Sequence, residues 1–274
     1  MLETKNVYKI FEDREVLHDI SCHFEPGKTN LIIGQSGSGK TVLMKCLIGL
    51  YEGDKGGILY DNRDFSKMSK SERKIIRQEM GVMFQGGALF DSMTVEENVK
   101  FPLIMLSDLS NSEKIKRVNF CLDRVQLGNA HSLYPSQLSG GMKKRVAIAG
   151  VIALNTQVIL FDEPTAGLDP AMTRGVVKII NTLAKEGKKI IISSHDMDII
   201  YTLCDYGYIL NHGQVIANGS IEDLFSMDEV LEKANLSQPW LMKIHKKLGL
   251  PLFRDEEKLF DYWREINGIS SYRG

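Results

Sequence analysis

Thr29-Asn30-Leu31-Ile32-Ile33-Gly34-Gln35-Ser36-Gly37-Ser38-Gly39-Lys40-Thr41 is the stretch on which the fold turns, because an apolar run breaks into glycines and ends on a lysine and a hydroxyl. The turn Pro26-Gly27-Lys28 delivers the chain into Thr29 to Ile33, a run short and apolar enough for a buried strand. Lys40 to Leu50 reads as a helix. Strand, glycine loop and helix in that order are the context that the pattern G-x-x-x-x-G-K-[ST] requires. Glycines in the stretch Gly34, Gln35, Ser36, Gly37, Ser38, Gly39 let backbone N–H groups converge on phosphate oxygens. The helix adds its positive N-terminal end, Lys40 can reach the outer phosphates, and the Thr41 hydroxyl can ligate Mg²⁺. The motif therefore predicts nucleotide binding.

Working outward, Val7 to Phe24 is strand-like with a polar turn at Glu12-Asp13-Arg14. Val158-Ile159-Leu160-Phe161 and Lys189-Ile190-Ile191-Ile192 resemble central strands of a parallel sheet. The first of these runs on into Asp162-Glu163, so two carboxylates emerge at a strand's C-terminal end, where α/β sheets place their ligands. Tyr208-Ile209-Leu210 and Gln214-Val215-Ile216 flank Asn211-His212-Gly213, a hairpin signal. Residues 86–153 are rich in helical patterns, and Ser112 to Val125 carries an apolar face of Ile115, Val118, Cys121, Leu122 and Val125. Beyond Ser220, Ser237-Gln238-Pro239 can open a helix bearing Trp240, Leu241, Ile244 and Leu248 that Gly249 stops. Asp255 can cap another that bears Leu259, Trp263 and Ile266.

A chain of 274 residues with 43% hydrophobic and 25% charged residues suits one large domain with appendages. A net charge of -1 gives no electrostatic reason to expect nucleic acid. The four cysteines, Cys22, Cys46, Cys121 and Cys204, form no metal-ligand spacing and read as reduced, buried residues. Glu3, Lys5 and Lys9 interrupt the N-terminus, which has no signal-peptide core. No apolar run is long enough to cross a bilayer, so work at a membrane needs a span from another chain.

With Leu138-Ser139-Gly140-Gly141-Met142 added to the glycine loop, the sequence resembles the ABC ATPases, with Met142 where glutamine is more common. The resemblance covers residues 1–220. It implies an α/β P-loop NTPase fold with a RecA-like core, an antiparallel β subdomain and a helical subdomain at about 86–153; residues 221–274 form a helical C-terminal extension. It also implies roles. Ser139, Gly140 and Gly141 would close over the γ-phosphate held by a second subunit. Asp162 would serve Mg²⁺, and Glu163 would polarise the attacking water. Gln85, after Val82-Met83-Phe84, matches the glutamine that ligates Mg²⁺ and water. Asp169 in Ala166-Gly167-Leu168-Asp169 matches the loop linking the two ATP sites, and His195 in Ser193-Ser194-His195-Asp196 the histidine that contacts the γ-phosphate. Phe11 is the aromatic expected to stack on adenine, with Tyr8 as a rival.

The implied activity is ATP hydrolysis by a homodimer that drives an integral-membrane permease from the cytoplasmic face of the inner membrane. Gly34 to Met142, above all Phe84-Gln85-Gly86-Gly87-Ala88-Leu89-Phe90-Asp91-Ser92-Met93-Thr94-Val95, resembles Mla-type phospholipid-transport ATPases, which work with an MCE-domain lipid-binding protein. Lys143 to Gly150 and the tail from Asp223 to Pro251 resemble cobalt and energy-coupling-factor ATPases. The two resemblances suggest a chimera with its seam near Met142. Leu89, Phe90, Phe101 and Pro102 are the expected permease contacts, which favours phospholipid transport, with cobalt or vitamin uptake as the alternative. A soluble iron–sulfur assembly ATPase is a third reading.

Overall fold

The computed structural model describes residues 2–25 and 27–268. Two sheets carry the architecture. The smaller is antiparallel: β1 (Leu2–Phe11) pairs with β2 (Arg14–Phe24) and with β4 (Lys55–Tyr60), which carries β5 (Arg63–Asp64) at its edge. The larger runs β10 (Gln214–Ser220), β9 (Tyr206–Asn211), β3 (Thr29–Ile33), β8 (Lys189–Ser194), β7 (Val158–Asp162), β6 (Met80–Met83), parallel throughout except for the β9–β10 hairpin.

Successive residues of a strand point to opposite faces, and here both faces are covered. Leu31, Ile33, Phe161, Ile190 and Ile192 belong to one core, while Ile32, Leu160 and Ile191 belong to the other. Each such side chain, fully buried, contributes about 1.5–3 kcal/mol. Strands apolar on both faces take little register information from hydrophobicity alone. A polar pair supplies it at the strand ends, where Asp162 faces Ser193 and accepts its hydroxyl proton.

Helix α1 (Lys40–Leu47) follows β3, and α2 (Lys70–Gln78) precedes β6. Between β6 and β7 lie α3 (Val95–Leu106), α4 (Asn111–Arg124) and α5 (Gly140–Ala153). Capping boxes start α3 at Thr94/Glu97 and α4 at Ser110/Glu113, satisfying amides that a helix start leaves unpaired. The expected helical stretch thus begins at Val95, residues 86–94 being irregular. Helices α6 (Pro170–Lys185) and α7 (Met197–Leu203) fill the remaining crossovers.

The hairpin expected at Asn211-His212-Gly213 turns through φ of 45° at His212 and 76° at Gly213, the left-handed pair that a tight two-residue turn demands. The helix read as Lys40 to Leu50 stops earlier, at Leu47. Gly49 adopts φ +67°, and a Cβ there would lie 2.1 Å from the Phe65 ring, so glycine at this place ends the helix.

The tail folds back on its own chain. Helices α8 (Ile221–Ser226) and α9 (Asp228–Lys233) lead into α10 (Trp240–Leu248) and α11 (Glu256–Ile266), and Leu241, Met242 and Leu259 join the larger core. Gly249 and Asp255 cap as the sequence predicts. Arg254 donates to the carbonyls of Tyr201 and Cys204 at the end of α7 and pairs with Glu222 at 3.2 Å. The part of the expected extension at 269–274 lies outside the described residues. No helix among the described residues is long and apolar enough to cross a membrane.

All four cysteines are free and buried. Burial pushes the Cys22 and Cys46 thiols up to about 12 and raises Cys121 and Cys204 as well. The nucleophilic thiolate is therefore scarce, and at about pH 8 a thiol-specific disulfide reagent should react with none of the four within minutes and with all four in denaturant. Gly49→Ala should lower stability by about 1–3 kcal/mol through the Phe65 clash and the left-handed backbone, seen as a lower Tm.

Candidate nucleotide site

The glycine loop is pressed between the end of β9 and the start of β2. A Cβ at Gly34 would lie 2.2 Å from the Leu210 carbonyl oxygen, and one at Gly39 2.8 Å from the Leu17 side chain, with φ +105° there as well. Close approach and a left-handed backbone both require glycine. The hairpin turn closes the loop from outside: the Gly213 amide donates to the Ser38 carbonyl at 3.1 Å. Gly39 is the N-cap of α1 and supplies no side-chain cap, so the first amides of the helix are left for a ligand.

Lys40 Nζ donates to the carbonyls of Gly34 at 2.7 Å and Gln35 at 3.0 Å, which leaves one proton for a further acceptor. Burial pulls its pKa down, against the opposing pull of Glu163 and Asp162. Thr41 Oγ1 donates at 3.0 Å to Oδ2 of Asp162, whose other oxygen accepts from Ser193. Glu163 follows at the end of β7 with φ +51°, its amide donating to the Ser193 carbonyl at 3.0 Å. Its Oε2 lies 2.8 Å from Nδ1 of His195, whose side chain is 67% exposed. Sequence reasoning gave these two residues separate roles; the structure joins them in one contact.

A cavity of about 580 Å³ lies over the loop, lined by Ser36, Gly37, Gly39, Lys40, Thr41, Gln85, Glu163 and His195. Arg14, Val16 and Val42 complete its wall, and Arg14 and Val16 carry no motif by which a sequence could have marked them. Asp162 lies just behind, 1% exposed. Phe11, expected against adenine, is outside the lining; it stands half-exposed with its ring 5.2 Å from Tyr51. Tyr8 packs instead on His18, at 5.1 Å. The Gln35 side chain turns away from the cavity and donates to the Ala234 carbonyl at 2.9 Å, tying the loop to the C-terminal segment.

Ser139, Gly140, Gly141 and Asp169 are not in the cavity either. Ser139 caps α5 through the Met142 amide at 3.2 Å, and Asp169 caps α6 through the Met172 amide at 2.8 Å. Gly141 is pressed against Met172, where a Cβ would meet its sulfur at 2.3 Å, whereas Gly140 opens onto free space. The start of α5 therefore lies outside the cavity lining, with Ser139 and Gly140 exposed and Gly141 buried against α6.

Sequence reasoning missed Lys144. Its ammonium donates to the carbonyls of Gln85 at 2.8 Å and Glu163 at 3.0 Å. The available signal was its place on the buried stripe of α5, three residues after Gly141 and three before Ala147.

The residues fit a triphosphate with its cation. Uncapped amides at the start of α1 and a lysine with a spare proton open onto the cavity, and the Ser38 hydroxyl is buried beside Gly34 with no hydrogen-bond partner among the described residues. Thr41, Asp162 and Gln85 offer the hard oxygens that Mg²⁺ prefers. Among the described residues no cluster of three His, Cys, Asp or Glu could hold a metal alone.

The family model for the ABC transporter matches residues 17–166. An ABC transporter ATP-binding protein of Listeria monocytogenes is 38% identical over 97% of this chain and 99% of its own length. The cobalt import ATP-binding protein CbiO of Salmonella typhimurium is 35% identical over 95% and 96%. The methionine import ATP-binding protein MetN of Escherichia coli is 35% identical over 82% of this chain and 67% of its own. Among solved structures, cbiO1 of Clostridium perfringens, part of the transporter complex cbiONQ, superimposes with a TM-score of 0.75 at 31% identity, covering 89% of this chain and 98% of its own. The dimeric post-hydrolysis cassette MJ0796, bound to ADP and phosphate, gives 0.74 at 30% identity, covering 81% and 99%.

His195→Ala removes the group that holds the Glu163 carboxylate. The expected result is a kcat lower by about tenfold or more, with ATP affinity within about threefold, read from steady-state hydrolysis and nucleotide titration.

Proposed function

The chain belongs to the ABC transporter ATP-binding family and is an ATPase, and from that premise we propose that two copies, arranged head to tail, hydrolyse ATP at composite sites to drive a membrane permease. The observation that carries this reading is the division of the motifs. Lys40, Thr41, Gln85 and Glu163 line one cavity, while Ser139, Gly140 and Asp169 stand outside it on exposed turns of the same chain. A second copy would bring its own Ser139–Gly141 helix start to the phosphates, where a positive helix end and bare backbone amides favour an anion.

Within such a site, Glu163 accepts a proton from the attacking water, and His195 orients the carboxylate while presenting its other ring nitrogen outward. Lys40 and the α1 amides neutralise phosphate charge; bound Mg²⁺ would add charge neutralisation at Thr41, Asp162 and Gln85. Little covalent work falls to the protein, so positioning and electrostatics supply the rate. Phe11 pairs with Arg14, a residue of the cavity wall, and its ring packs on Tyr51; Phe11 remains our candidate for adenine once a nucleotide is bound.

For the transported solute, import of a metal ion or other small nutrient is the better reading, because relatives named for cobalt import align through the C-terminal extension as well as the ATPase core. The extension is tied to the phosphate loop at Gln35 and Ala234. Phospholipid transport with an MCE-domain partner is a second reading that rests on the resemblance of Phe84 to Val95 alone, the named relatives being cobalt and methionine importers. The segment resembling Mla-type ATPases supplies Leu89, Phe90, Phe101 and Pro102 to an apolar groove of about 280 Å³ against α5, the place for a permease helix.

Purification of the tagged chain from native membranes in detergent, with mass spectrometry of what accompanies it, separates the two. An energy-coupling scaffold with a solute-binding membrane subunit is expected; an MCE-domain protein would replace that reading with the lipid one. Glu163→Gln is expected to keep ATP binding and lower turnover by about a hundredfold or more, and near-normal steady-state hydrolysis would overturn the role of Glu163.

A further inference from the structure

A buried cation bridges two residues of the cavity wall, Gln85 and Glu163. Lys144 lies in the second turn of α5, the helix that begins at Ser139-Gly140-Gly141, and is 9% exposed. An ammonium is costly to bury unless its charge and its protons are answered. Here two protons go to main-chain carbonyls, those of Gln85 and Glu163, and the negative field comes from Asp162 and Glu163. The two carbonyls belong to neighbouring strand ends, since β6 and β7 pair in parallel with Met83 opposite Phe161.

Glu163 sits at φ +51°, an uncommon conformation for a residue with a side chain, which persists only where its surroundings fix it. Its amide donates to the Ser193 carbonyl, and its own carbonyl accepts from Lys144 at 3.0 Å and from the Ala166 amide at 3.3 Å. With both backbone groups pinned, the direction in which the Glu163 side chain leaves the backbone is set, and its carboxylate meets His195 at 2.8 Å. We propose that Lys144 is a positioning residue for hydrolysis, locking the backbone of Glu163 and of Gln85 to the helix whose start would touch the partner's nucleotide.

This inference rests on Glu163 being the hydrolytic carboxylate. It gives that carboxylate a link to α5, the helix that begins at Ser139-Gly140-Gly141 of its own chain. A shift of α5 when the partner's nucleotide arrives would move Lys144, and with it the two carbonyls that aim Glu163 and Gln85. A lysine that merely satisfied two carbonyls would support stability and leave turnover alone.

The test uses the purified full-length chain with Lys144→Met, Lys144→Arg and Glu163→Gln, measuring kcat, KM for ATP, affinity for a fluorescent ATP analogue and Tm. Lys144→Met is expected to lower kcat by about tenfold to a hundredfold, the scale of a misplaced catalytic group, with KM and nucleotide affinity within about threefold. Lys144→Arg, which keeps charge and donors, is expected to restore kcat to within about threefold of the parent. Wild-type kcat in Lys144→Met beside a silent Glu163→Gln would overturn the inference alone. So would equal losses in both Lys144 variants that follow KM or Tm. Turnover by Glu163→Gln at the parent rate would overturn the underlying reading instead. If Lys144→Met does not fold, Lys144→Gln replaces it, with the same expected loss of kcat at unchanged nucleotide affinity and the same overturning result.

Discussion

The buried carboxylate of Asp162 imposes the constraint on which the site is built. At 1% exposure a charged group is tolerated only with its oxygens answered, and the two hydroxyls that answer it come from Thr41 and Ser193, on the α1 start and the neighbouring strand. Those hydrogen bonds set the register of β7 against β8 and fix the phosphate loop to the sheet in one stroke. Glu163 and His195 then follow as the next residues out along β7 and beyond β8, which is why the chemistry gathers at the strands' C-terminal ends.

From that anchor two connections run outward. One passes through the phosphate loop to the tail, where Gln35 meets Ala234 and Asn211 meets the Lys233 carbonyl at 3.2 Å. The extension is thus part of the support of the loop, while Arg254 and Asp198 fasten its helices to α7. The other passes through α5, which is packed against Met172 at Gly141 and linked at Lys144 to the ends of β6 and β7. The groove beside α3 and α5 lies along this second connection, so whatever fills it presses on the same helix.

How much could be read from sequence follows the range of each interaction. Thr29 to Thr41, Val158 to Glu163 and the turn at His212-Gly213 are decided by neighbours in the chain, and their strand, loop and turn appear as expected. The helix stop at Gly249 and the cap at Asp255 are likewise local. Gln35 to Ala234 spans 199 residues, and no local pattern announces it. Arg14 and Val16 reach the cavity because β2 crosses the loop, and Phe11, packed on Tyr51, lies outside its lining. Two family resemblances meet at Met142, which lies within α5, and the Listeria relative aligns across 97% of the chain. Lys144 was hidden by its residue type, since a lysine in a basic run reads as solvated surface.

The central claim is that each ATP site needs two chains, one giving Lys40 and Glu163 and the other Ser139 to Gly141. Mixing a phosphate-loop variant, Lys40→Ala, with a signature variant, Gly140→Asp, tests it directly by ATP hydrolysis. Each alone should be silent, and a one-to-one mixture of freely exchanging subunits should recover about a quarter of the parent activity, because half the pairs are mixed and each mixed pair holds one intact site. A silent mixture that nonetheless forms mixed dimers, or full activity of Gly140→Asp alone, would contradict it.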